Sequence, residues 1–474
     1  YINTVAGRLG ETTLRKDDTM KMAPRHRQQL PPLPMVSAKL GDRLASQVFL
    51  EEGRELLPEL QEFRRDMHQN PEIGLHLPRT QKKVLEALEG LPLEIHRGHD
   101  LSSVVAVLRG GKRGERPVSV LLRADMDALP LREQTGSPFA STNSNMHACG
   151  HDLHTAGLIG AVKMLCRHRE ELLGDVIFMF QPGEEGPGGA QPMIEEGVLD
   201  AAGRRPIAAY GLHVGPQDRG TFHHIGGPMM ASSSNLCITV YGKGGHGSRP
   251  HDAVDPVAAL AEIQMALQVA LTRRFDANDP IVITVTNLRA GDGAVNVIPD
   301  KAELDATVRV LRDEKIEQVR QMIIEVSSSV AASHRCTAKV DFEVLYSATK
   351  TSPREDQFAA SLWAGMFGAE NVLSMDTPMM ASEDFGVVLA QVPGTFMWFG
   401  TANPDTPEHL REWNHSPLVQ FDDSVLGDQA AALAAVAFER LAAEDAHPSP
   451  ATKAMRAPVQ GTGLDAQPPS SAAH

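Results

Sequence analysis

Cysteine is scarce in this chain: four residues, Cys149, Cys166, Cys237 and Cys336, stand among 474. They are too few and too scattered to build a disulfide framework, so a reducing compartment is the default expectation. No apolar run approaches the roughly 20 residues that a bilayer-crossing helix needs. Positive charge is in deficit. Lys and Arg number 45 against 60 Asp and Glu, a formal net charge of -15. Such a balance argues against nucleic acid or an anionic membrane as partner. Internal repeats are also missing. Residues 1–45 have no apolar block of the kind a secretory signal carries. They begin at Tyr1 and mix Arg, Lys, Gln, Pro and Met with Glu11, Asp17 and Asp18. We expect a poorly ordered extension and a cytoplasmic protein, with organelle targeting by this extension left open. Residues 447–474, rich in Pro, Ser and Ala, read as a disordered tail.

What remains is long enough for two domains and a large core. A helical pattern covers residues 48–67 and stops before Pro71. A second follows Thr80, a plausible cap, and ends at Gly90. Strand patterns at 103–108 and 118–122 precede a helix from about 155 to 170. Short apolar runs at 176–180 and 207–212 read as buried strands. Strands alternating with helices predict an α/β sheet with covered faces. The middle of the chain has its own rhythm. A strand at 236–241 is followed by Asp255-Pro256, an N-cap with Pro at the first helical position, opening a helix to about 273. Strands at 280–288 and 301–311, a helix at 314–331 and a strand at 338–345 complete a β-α-β-β-α-β order. That is the split βαβ, ferredoxin-like unit, complete within about 110 residues and therefore able to be an insertion. A strand at 395–399 and an Ala-rich helix at 424–444 close the chain's core.

Chemistry concentrates in Met146-His147-Ala148-Cys149-Gly150-His151-Asp152-Leu153-His154-Thr155. A thiolate and an imidazole two residues apart, before a helix, suit a borderline metal such as Zn, Mn, Co or Ni. Gln181-Pro182-Gly183-Glu184-Glu185-Gly186 leaves a buried strand with two adjacent carboxylates. Burying them is costly unless positive charge sits beside them, and a metal pair supplies it. One Glu can then bind metal while its neighbour takes a proton from water. Gly211-Leu212-His213-Val214 and Asn414-His415-Ser416-Pro417 add two further His. The run Arg123-Ala124-Asp125-Met126-Asp127-Ala128-Leu129-Pro130 stands at another strand end, where open α/β sheets build sites. Any one of these His, alone, reads as a satisfied structural residue.

Together the segments resemble the aminoacylase, hippurate hydrolase and auxin-conjugate amidohydrolase family of the di-metal metallopeptidase clan. The likeness runs from about Phe63 to Arg440. It also includes Arg64-Arg65-Asp66-Met67-His68 with Pro71-Glu72, Gly242-Lys243-Gly244-Gly245-His246-Gly247-Ser248, Asn296-Val297-Ile298-Pro299-Asp300 and Ser382-Glu383-Asp384-Phe385. The resemblance implies a metal-dependent amidohydrolase acting on linear amides of N-acyl amino acids or similar conjugates. Cys149 would bridge two divalent metals, with His151, Glu185, His213 and His415 completing the ligands. Glu184 would be the general base, and Asp127 would orient a ligand imidazole. His246 would stabilise the oxyanion, in the same subunit or across a dimer interface, while Asn296 and Arg309 would hold a substrate carboxylate. The implied fold is a mixed-sheet di-metal catalytic domain covered by helices, in parts 46–233 and 347–446. A ferredoxin-like lid and dimerisation domain, 234–346, would be inserted between them, with hinges near 231–234 and 346–352 and a homodimer through the insertion. The chain departs from the family at Leu75-His76-Leu77, where Phe-Glu-Glu is usual, and at Tyr346-Ser347 with Thr351, where Tyr-Pro and a later Asn are usual. Alternatives are a dipeptidase or carboxypeptidase of the same clan, and a non-catalytic binding relative.

Overall fold

The computed structural model describes residues 32–35, 37–114 and 117–448. Expectations for 1–31 and 449–474 lie outside the described residues. Along the chain come α1 (Ala45–Gln69), α2 (Pro78–Leu88), β1 (Leu93–Arg97), β2 (Val104–Leu108), β3 (Ser119–Asp125), α3 (His151–Arg167), β4 (Asp175–Gln181), β5 (Ala208–Gly215) and β6 (Phe222–His224). The middle section supplies β7 (Ser233–Tyr241), α4 (Pro256–Arg274), β8 (Ile281–Ala290), β9 (Lys301–Val310), α5 (Ile316–Ser333) and β10 (Thr337–Tyr346). The chain ends with α6 (Pro353–Phe367), β11 (Val372–Ser374), β12 (Gly394–Gly400) and α7 (Leu426–Ala446).

The segments on either side of the insertion form one eight-stranded sheet in the order β11-β6-β12-β5-β3-β4-β2-β1. Its centre, β12-β5-β3-β4, is parallel, and β2 and β1 extend it antiparallel. Strand alternation sorts the side chains onto two faces. Val120, Leu122, Phe178, Phe180, Tyr210 and Leu212 face the layer made by α1, α3, α6 and α7. Leu121, Ile177, Met179, Ala209 and Phe396 face the opposite cluster, which includes Phe385 and Met229. On this second face lie Arg123, Asp125, Gln181 and His213, in the positions the two-residue period assigns them. Parallel strands deliver their carboxyl ends to one edge, so Asp125, Gln181 and His213 converge there.

The insertion is a four-stranded antiparallel sheet ordered β8-β9-β7-β10. This is the ferredoxin-like arrangement expected from its element order. Burial alternates residue by residue along β9, and Leu236, Ile238, Leu304 and Val308 pack under α4 and α5.

Some boundaries differ from the sequence reading. α2 starts at Pro78, and Thr80 is buried inside it rather than capping it. The Glu72 carboxylate takes over the cap, accepting from the N–H of Arg79 and Thr80 at 3.2 and 2.8 Å. α3 starts at His151, four residues before the expected point, because Gly150 turns the chain into the helix at φ 81°. A Cβ at Gly150 would meet Val214 Cγ2 at 2.2 Å, so the site is closed to any other residue. The 1–45 extension is not wholly loose. Lys39–Leu40 and Arg43–Leu44 form a small hairpin, and the Ala38 N–H donates to the buried Glu439 carboxylate on α7. The proposed hinge at 231–234 is buried, with the Ala231 N–H on Ala381 O and the Ser232 N–H on Val310 O. Among the described residues no helix is long and apolar enough to cross a membrane.

Candidate metal centre

Two triads of potential ligands meet at one sulfur. Cys149, His151 and His213 bring their donor atoms within 4.8 Å of one another, and so do Cys149, Glu185 and His415. Cys149 comes from the turn before α3, His151 from its first residue, Glu185 from the loop after β4, and His213 from the end of β5. His415 comes from the loop after β12. Cys149 Sγ lies 3.4 Å from His213 Nε2, and His415 Nε2 lies 3.0 Å from Glu185 Oε1. The His213 Nδ1–H donates to Val214 O at 2.8 Å, which leaves the lone pair on Nε2, on the side of the Cys149 sulfur, available to a metal. His151 is fully buried, and neither ring nitrogen has a hydrogen-bond partner. A buried imidazole with no hydrogen bond of good geometry, whose nearest carboxylates are Asp127 at 3.4 Å and Asp125 at 3.6 Å, fits a ligand better than a structural residue.

Charge supports the same reading. Asp125, Asp127, Glu184, Glu383 and Asp384 are buried and Glu185 is nearly so. Arg123 is the guanidinium that answers them, at 2.7 Å from Asp125, 2.8 Å from Glu383 and 3.2 Å from Asp384. Arg123 alone does not balance them. Burial, then the charges of Glu383, Glu185 and Asp384, pushes Glu184 well above the ordinary carboxylate range. Burial pushes Glu383 up to about 8 even though Arg123 opposes it. Burial and the Glu185 charge likewise push the Cys149 thiol up. Dications placed among these donors would reverse each of these penalties. The residues present therefore fit a pair of metal ions.

Asp127 organises the acid pair. Its two oxygens accept from the backbone N–H of Glu184 at 3.0 Å and of Glu185 at 2.9 Å, and Oδ1 lies 3.4 Å from His151 Nδ1. The inserted-domain residues are distributed differently. Gly245–His246 pairs antiparallel with Val297–Ile298, and the Gly247 N–H donates to Asn296 O at 2.7 Å, so His246 and Asn296 sit side by side on one two-stranded ribbon. His246 is exposed, with Nδ1 accepting from Ser248 and Nε2 open. Among the described residues no hydrogen bond or ion pair joins His246 or Asn296 to the two triads. Arg309 does reach the catalytic part: its guanidinium donates to Ser382 Oγ, which also lies 3.3 Å from the Tyr346 hydroxyl.

Several residues had been quoted within motifs without a role. Arg123 joins the end of β3 to Glu383 and Asp384. The Gln181 amide donates to Asp384 at 2.7 and 2.8 Å, and the Ala190 N–H donates to it at 2.9 Å. His154 Nδ1 pairs with Asp125, and its Nε2 accepts from the Val214 N–H at 2.8 Å, steadying the strand end that carries His213. The available signal was the charged pair in Ser382-Glu383-Asp384-Phe385, which has no reason to be buried unless it meets a cation.

Residues 121–439 match the model of peptidase family M20/M25/M40. N-acetylcysteine deacetylase of Bacillus subtilis is 37% identical over 368 residues, covering 77% of this chain and 92% of that protein. IAA-amino acid hydrolase ILR1-like 5 of Arabidopsis thaliana is 35% identical over 393 residues, covering 82% and 88%. Among solved structures, a dinuclear metal-binding peptidase of the M20 family from Bacillus subtilis superposes with a TM-score of 0.69 at 31% identity, covering 82% of this chain and 99% of that one. The chain belongs to the M20/M25/M40 peptidase family: it is a metal-dependent amidohydrolase served by two divalent ions.

Proposed function

We propose that the protein hydrolyses the amide bond of N-acyl amino acids or related conjugates bearing a carboxylate. Cys149, His151, Glu185, His213 and His415 would hold the metals, with Cys149 shared between them. The observation that carries this reading is the single sulfur common to both donor triads, with the Glu184 carboxyl grouped with His151 and Glu185, one member of each triad. The thiolate, imidazole and carboxylate set suits Zn, Mn, Co or Ni. When bound, the ions supply Lewis acidity to water and to the amide carbonyl.

The chain's own residues do the rest. Glu184 accepts a proton from the attacking water and returns it to the leaving nitrogen. Asp127 keeps Glu184 aimed by holding its peptide N–H, and orients the His151 ring. The open Nε2 of His246 would donate to the oxygen where charge develops. Arg309 and Asn296 would hold the substrate carboxylate, Arg309 by exchanging Ser382 Oγ for it. His246 and Asn296 ride on the insertion, so the two domains must approach each other around substrate, expelling water.

A homodimer through the insertion is supported by Val257, Met265 and Val269, exposed on α4, and by the unpaired outer edge of β8 with exposed Leu288. The free cysteines agree with a cytoplasmic setting. The test is a screen of metal-loaded protein against N-acetyl and N-benzoyl amino acids, their carboxamides, and dipeptides. Cleavage of acyl amino acids, with the carboxamides poor, is expected. A preference for dipeptides or for carboxamides would overturn the substrate reading.

A further inference from the structure

The segment that carries His415 holds a second group turned toward the metal centre. The Asn414 side-chain amide lies 3.1 Å from Val214 O, 3.3 Å from Cys149 O and 3.6 Å from Cys149 Sγ. Three acceptors around one atom fix that atom as the nitrogen, because the carbonyl end would be repelled by all of them. Its Oδ1 points away, buried and without a partner. The contacts reach three of the proposed ligands. Cys149 is touched directly. His213 is reached through Val214 O, which also accepts from its Nδ1–H at 2.8 Å. His415 follows in the chain, with its N–H on Ala148 O at 2.9 Å and its backbone in the left-handed region at φ 72°. A non-glycine residue keeps that conformation only when its surroundings impose it.

We propose that Asn414 is a positioning residue for the shared sulfur: its amide locks Cys149, His213 and His415 into one constellation and donates a hydrogen bond to the Cys149 thiolate. The donation withdraws electron density from the sulfur and would moderate its strength as a metal ligand, while the two carbonyl contacts fix its direction. The proposal rests on Cys149 being a metal ligand, as set out under the proposed function.

The test uses the full chain loaded with Co2+, whose sulfur-to-cobalt charge-transfer band reports the thiolate directly. Asn414→Ala removes the amide, and Asn414→Asp keeps its shape without its hydrogens. Both should move the band to lower energy, since an unbonded thiolate is the better electron donor. Asn414→Ala should also bind metal ten- to a hundredfold more weakly in competition with a chelator, the usual effect of losing an outer partner. A band unmoved in both variants, with cobalt still bound, would overturn the donation to sulfur whatever happens to activity. Unchanged chelator competition in Asn414→Ala would overturn the locking role. No charge-transfer band in the unaltered protein would sink the Cys149 ligand reading and this proposal with it.

Discussion

Glu184 and Arg123 differ in what their loss should do. Glu184→Gln preserves shape and both backbone contacts to Asp127 but removes the proton acceptor. Turnover should fall by about 10²- to 10⁴-fold, with metal content unchanged by elemental analysis. Arg123→Met acts on folding instead. It leaves Asp125, Glu383 and Asp384 facing one another with no guanidinium between them. Stripping one partner from such a buried cluster costs about 3–5 kcal/mol, readable as a lowered midpoint in urea unfolding of the metal-loaded protein. The first residue was legible in the sequence because two adjacent acids after a buried strand demand an explanation. The second was not. Arg123 and Glu383 are 260 positions apart, and no local pattern says that these two motifs touch.

At the scale of elements, the strands and the ferredoxin-like insertion were readable from alternation and turn residues. The start of α4 was readable too, since Asp255 caps it and Pro256 opens it, but the starts of α2 and α3 were not. Glu72 caps α2 from a preceding loop, and Gly150 starts α3 by its conformation alone, with no capping side chain. Gly150→Ala should therefore disturb both Cys149 and His151. The φ strain alone costs about 1–2 kcal/mol, and the contact with Val214 adds to it. A drop in thermal midpoint together with weaker metal retention is the expected result. α1 and α3 are further tied by His68, whose Nδ1 lies 2.8 Å from Asp152 and whose Nε2 lies 3.3 Å from Glu133. Burial would lower the His68 pKa, but Asp152 and then Glu133 outweigh it and raise it above 6.5. Glu133 moves the other way. Burial would raise it, yet His68, the Ser141 N–H and Thr135 bring it down to about 2. The imidazolium contribution is complete below pH 6.5 and is lost as pH rises through the raised folded value. The Glu133 contribution is present above its ordinary 4.5 and is lost as pH falls toward 2. The stability difference between the native protein and His68→Gln should thus be greatest between about pH 4.5 and 6.5, shrinking on both sides in a series of melts. A difference that does not change with pH would count against the charged pair.

For the molecule as a whole, the fold class could be inferred from element order, and the separation of its working parts onto two domains followed from the family resemblance rather than from any local pattern. The donor triads lie on one domain and His246 and Asn296 on the other, with Arg309 and Ser382 at the joint. If a dimer forms through the insertion and one subunit lends His246 to the other, two dead variants should rescue each other. Mixing His246→Ala with Glu184→Gln subunits should restore a fraction of activity, since some heterodimers then hold one intact site. Silence from a mixture shown to contain heterodimers would place His246 and Glu184 in the same subunit's site.

The central pairing of the large sheet joins Ala209–Gly215 on β5 to Gly394–Gly400 on β12, with the entire insertion between them in the chain. That pairing sets an order of assembly. The insertion closes its own sheet from contacts within residues 233–346, so it can fold while later residues are still being synthesised. The catalytic sheet must wait for β12, and pairings between such distant segments form slowly. His415 lies beyond β12, so the second donor triad is completed only after the insertion and β12 have been made. Until then the growing chain exposes β5 as an unpaired edge, open to association with other chains. Capture of ions by the complete pair of triads therefore has to follow the closing of the insertion and the arrival of β12.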